Sequence, residues 1–62
     1  MYKKIEIIMS SSMIEAEEKV NEYLVELYKE GLDSDDIEIL CNTVMGPKGL
    51  IYNYTIIYLE QD

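Results

Sequence analysis

Leu50-Ile51-Tyr52-Asn53-Tyr54-Thr55-Ile56-Ile57-Tyr58-Leu59 decides how this chain folds. β-Branched and aromatic residues fill the stretch, and a Gly46-Pro47-Lys48-Gly49 turn precedes it, which is the pattern of a β-strand. Side chains alternate across a sheet, so a strand with one wet face alternates apolar and polar. This stretch hardly does. One row holds Leu50, Tyr52, Tyr54, Ile56 and Tyr58, and the other holds Ile51, Asn53, Thr55, Ile57 and Leu59. Both faces need cover.

Upstream of the turn, residues 37–45 read as a second strand. Ile37, Ile39, Cys41, Thr43 and Met45 face one way, and Glu38, Leu40, Asn42 and Val44 the other. Two strands joined by so short a turn form an antiparallel hairpin. Before them, Asp33, Asp35 and Asp36 lie in a polar connection. A calcium loop would need a glycine at its sixth position and a glutamate at its twelfth. Glu38 and Val44 stand at those positions, so a solvated loop is the expectation and no metal is assigned.

A helix is expected over residues 13–30. Ser12 and Glu15 have capping-box spacing, and Gly31 suits the left-handed residue that closes a helix. Met13, Ala16, Val20, Leu24 and Leu27, flanked by Tyr23, form the core stripe, while Glu15, Glu18, Lys19, Glu22, Glu26, Lys29 and Glu30 form the wet surface. Ile14, Val25 and Tyr28 make a second, narrower apolar flank; edge packing against the sheet could take Tyr28, while Ile14 and Val25 are left either exposed or in a contact between subunits. At the start, Ile5, Ile7 and Met9 share one face of a half-buried strand over residues 3–9. Lys4, Glu6 and Ile8 share the other, with Ile8 as the exception to the alternation.

The order is therefore β-α-β-β. The expected fold is a single α+β domain over residues 1–62, with the most apolar strand, the third, in the middle of a three-stranded sheet. One helix covers one face. The other face, or an edge, is left for self-association. The uncovered face is expected to carry Ile8, Leu40 and Val44 plus one row of the last strand. If that is the tyrosine row, Tyr52, Tyr54 and Tyr58 lie exposed beside Leu40. Tyrosine suits an interface because it adds area at low entropic cost. A symmetric homodimer or higher oligomer would supply the missing cover.

Composition narrows the function. A 62-residue chain buries only about 60% of its unfolded surface. The five basic residues, all lysine (Lys3, Lys4, Lys19, Lys29, Lys48), face thirteen acidic ones, for a net charge of −8. That balance opposes direct nucleic-acid binding and binding to anionic membranes. It leaves open mimicry of DNA toward a basic protein. No run approaches the ~20 apolar residues of a membrane span. Glu6 interrupts the short apolar run after Lys3-Lys4, so no cleavable leader is expected. The single Cys41 forms no internal disulfide and fits a reducing compartment, so the expected location is cytoplasmic.

Catalysis is not expected. The chain has no histidine, the commonest general acid–base near neutral pH. Cys41 sits mid-strand among Ile39 and Thr43 and reads as a small buried hydrophobe rather than a nucleophile, and no phosphate-binding motif or cofactor site is legible. The length and β-α-β-β order resemble the small tautomerases of the 4-oxalocrotonate type. Their activity, which uses an N-terminal proline and arginines, has no residues here: the chain starts Met1-Tyr2, Pro47 is its one proline, and arginine is missing.

Val20-Asn21-Glu22-Tyr23-Leu24, Asp36-Ile37-Glu38-Ile39 and Leu50-Ile51-Tyr52-Asn53-Tyr54-Thr55-Ile56-Ile57-Tyr58 together resemble the Cse60-type small acidic sporulation proteins of bacilli. Ile7-Ile8-Met9-Ser10 departs from the acidic segment usual there. The resemblance implies a non-enzymatic role. Similar chains in phages and mobile elements imply the alternative, an inhibitor or sequestering protein gripping a host protein or a small signal molecule between subunits.

Overall fold

The computed structural model describes residues 2–60. The order is β1 (Tyr2–Ser10), α1 (Met13–Lys29), a 3-10 turn (Ser34–Asp36), β2 (Ile37–Gly46) and β3 (Gly49–Glu60). The sheet runs β1-β3-β2 with both pairings antiparallel, so the most apolar strand is central, as its composition predicts. The architecture is α+β, with one helix against a three-stranded sheet. The long hairpin makes the subunit slender, 40 × 19 × 16 Å.

Local chemistry explains the boundaries. The Glu15 N–H donates to Ser12 Oγ at 3.3 Å, which gives one half of the capping box. The other half is replaced: the Ser12 N–H turns to Ser10 Oγ at 3.1 Å, and the Glu15 carboxylate pairs with Lys19 at 3.5 Å. At the far end the Leu32 N–H reaches the Leu27 carbonyl and the Gly31 N–H the Tyr28 carbonyl. Gly31 has φ +98°. This is a Schellman closure, and Leu32 packs on the core as the motif favours. In the hairpin Pro47 cannot take the positive φ of the preferred two-residue turn, and Lys48 does not take it either. Positive φ passes to Gly49, at +128°.

The core is small. Ala16, Val20 and Leu27 from the helix meet Ile56 and Tyr58 from β3, with Ile8, Tyr23, Leu24, Leu32, Ile37 and Tyr54 packed around them. Met13, expected in the stripe, is exposed because it occupies the first turn, at the margin of the sheet. The helix packs chiefly on β1 and β3, with β2 joining the core at Ile37.

Candidate interaction surface

Choosing the even row of β3 for the helix settles every other strand, because cross-strand partners share a face. Ile8 pairs with Tyr54, Ile37 with Tyr58 and Ile39 with Ile56, so these residues lie on the helix side. The opposite side carries Ile5, Ile7 and Met9 from β1 and Ile51, Asn53, Thr55, Ile57 and Leu59 from β3. Leu40, Asn42 and Val44 of β2 complete it.

Two expectations are corrected. Tyr52, Tyr54 and Tyr58 do not line the open face. Tyr58 is 7% exposed and belongs to the core, Tyr54 packs against that core, and Tyr52 is half-buried on the helix side. Ile8 is likewise a core neighbour, while Ile5, Ile7 and Met9 take the open side. The alternation of β1 reads as if Ile5, Ile7 and Met9 were buried. Pairing with β3 overrides it, since Lys4 and Glu6 sit on an edge strand where their charged ends reach water.

Leu40 and Val44 are on the open face, 50% and 42% exposed, with Ile5 at 64% and Ile7 at 55%. Together with Met9 they expose on the order of 500 Å² of apolar side chain, as much as the largest patch of an ordinary monomer. Lys3 and Glu38 stand at one end of this face, and its middle has no charge. The subunit exposes 4677 Å², against about 4100 Å² for a compact monomer of its mass. A second bare strip lies on the helix side of β2. Ile39, Met45 and, against its reading as a buried hydrophobe, Cys41 are exposed there because the helix sits over the other two strands. Ile14, Val25 and Tyr28 are exposed on the helix, Ile14 most of all.

Several groups have their ionisation shifted by their surroundings. Burial, then the hydrogen bond its hydroxyl makes to Tyr58, raises Tyr23 far above its ordinary range. At the sheet margin Glu60 is held low by Tyr2 and Lys4, and Lys4 is held high by Glu60 at 3.1 Å. Contact with Cys41 raises Tyr54. Glu60 borders an open depression of about 240 Å³ beside Glu30, Gly31 and Leu32, and two others among the described residues measure about 180 and 290 Å³, all below the ~300–1,000 Å³ of ligand pockets. Among the described residues no three carboxylate or cysteine side chains gather as a metal site, and no helix is long and apolar enough to cross a membrane. No family model, curated protein or solved structure matches the chain.

Proposed function

We propose that this chain is a small acidic interaction protein without catalytic activity, which associates with copies of itself through the open face of its sheet. The observation carrying the reading is the charge-free middle of that face, where Ile5, Ile7, Met9, Leu40 and Val44 are all at least two-fifths exposed. Leaving them in water forgoes about 25 cal/mol for each Å² that a partner would cover. Two such faces stacked in a two-layer sandwich approach the ~800 Å² per subunit of a standard interface. The resemblance to small sporulation proteins agrees with a role of this kind.

The test is the mass of the assembly by light scattering. Wild type is expected above one chain, with Ile7→Lys reducing the mass while the far-ultraviolet spectrum stays unchanged. A wild-type protein at one-chain mass at high concentration would sink the reading. A second reading, an inhibitor that engages a basic host protein, draws on the exposed Glu15, Glu18, Glu22, Glu26 and Glu30 of the helix. It is favoured if one basic protein co-purifies and Glu22→Lys/Glu26→Lys releases it.

A further inference from the structure

We infer that a second copy adds its β2 antiparallel to this β2, across a two-fold axis at Asn42, joining two three-stranded sheets into one of six strands. This contact is separate from the stacked face and does not rest on it.

β2 is an edge strand ten residues long, and residues 38–45 are all exposed. Its pairing with β3 runs without a bulge, it holds no proline, and Glu38 is its one charge. Long, flat, apolar edges recruit further strands, so proteins guard them with charges, prolines and bulges. The other edge, β1, has Lys3, Lys4 and Glu6. β2 has almost no such protection.

The free backbone groups follow from the hairpin. Gly46 and Gly49 pair around the two-residue turn, and hydrogen-bonded and open pairs alternate from there. The odd residues Ile39, Cys41, Thr43 and Met45 therefore direct their N–H and C=O groups to the free edge. Self-pairing must match odd with odd, which leaves few registers.

With Asn42 on the axis, Ile39 meets the partner's Met45, Leu40 meets the partner's Val44, and Cys41 meets the partner's Thr43. Glu38 falls opposite the partner's Gly46, next to its Lys48. The large apolar side chains meet one another, and the one carboxylate comes near a lysine. Moving the axis to Cys41 instead sets Leu40 against Asn42 and Glu38 against Val44.

The asparagines agree with this register: Asn53 lies beside Asn42 in the open-face row. The axis at Asn42 lines both asparagines and their symmetry mates in one row. In an open pair the two Asn42 Cα atoms come within about 4.5 Å, close enough for amide-to-amide hydrogen bonds. β2 is self-complementary about Asn42, with Ile39 and Leu40 matched to Met45 and Val44 and Glu38 brought near Lys48, which selects a second copy as occupant.

The experiment uses the full chain carrying Ile7→Lys, which disables the stacked face at β1, far from β2. That variant is expected at two-chain mass, and adding Thr43→Pro at an outward N–H should give one chain. Glu38→Lys should weaken the pair on the order of tenfold, and Glu38→Lys/Lys48→Glu should restore it, a control independent of the proline. Asn42→Cys with Cys41→Ser should form an intersubunit disulfide under mild copper-phenanthroline oxidation, which Cys41 alone should not. One-chain mass for Ile7→Lys, or no effect of Thr43→Pro, overturns the edge contact. Cross-linking through Cys41 rather than position 42 overturns the register. Loss of the stacked face alone would show instead as a wild type already at two chains and indifferent to Ile7→Lys.

Discussion

The hydroxyls of Tyr23 and Tyr58 lie 2.8 Å apart, with their rings edge to face at a centroid distance of 6.1 Å. One comes from the helix and the other from the central strand, so this pair locks the helix onto the even row of β3. Phenylalanine at either position strands the other hydroxyl in a part-buried place. Each single change is expected to cost about 1 kcal/mol, or roughly 4–8 °C in melting temperature for a domain this small. The double change should cost less than the two singles together. Strict additivity in urea titrations would show that the hydroxyls do not interact.

The same pair sets an alkaline limit. Burial and Tyr58 raise the Tyr23 hydroxyl in the folded chain, so the unfolded chain loses that proton first. Stability from this group is complete below the ordinary tyrosine value of about 10 and falls as pH climbs above it. Absorbance of the tyrosinate should show a late ionisation that coincides with unfolding. Tyr23→Phe should remove that late step. Ionisation of Tyr23 near the ordinary tyrosine value in a protein that stays folded would contradict this.

Ile56 and Ile57 offer a chemically matched contrast. Ile56 is fully buried under the helix, and Ile57 is half-buried on the open face. Ile56→Ala should cost about 2–5 kcal/mol, comparable with the whole stability of such a domain, roughly 3–9 kcal/mol. The folded state should be lost or barely populated. Ile57→Ala should leave the circular dichroism spectrum and helix content intact. The reverse outcome would mean that the helix covers the other face. For the same reason Tyr54→Lys should unfold the subunit rather than merely separate copies, whereas Leu40→Lys should separate them.

Gly49 holds φ +128° with open space where a Cβ would go. Gly49→Ala therefore costs backbone strain alone, about 1–3 kcal/mol. At Gly46 the obstacle is a side chain: a Cβ would come 2.6 Å from Ile51 Cδ1. Gly46→Ala should displace Ile51 on the open face and weaken self-association as well as folding. Urea titration and light scattering on the two variants separate these effects.

Each copy carries a net charge of −8, so two copies repel at long range while their apolar surfaces attract. Salt screens the first and leaves the second. Self-association is expected to strengthen between about 20 and 500 mM sodium chloride, as read by sedimentation. Weakening with salt would point to an interface held by ion pairs.

Much of the architecture is local and therefore legible. Ser12 and Gly31 bound the helix, Gly46 to Gly49 turn the hairpin, and the apolar excess of residues 50–59 places that strand between two others. These features depend on φ preferences, capping groups and spacing, which neighbours in the chain decide. Which row of β3 lies under the helix could not be read, because both rows are apolar and period-two alternation carries no preference when neither face is polar. Tertiary packing decides it, through the fit of Ile56 and Tyr58 against Val20, Leu27 and Tyr23. Cross-strand registry then carries the decision to β1 and β2, turning Ile8 inward and Ile5 and Ile7 outward against the local pattern. A sheet is a rigid two-sided object, so one long-range contact assigns every side chain in it to a face.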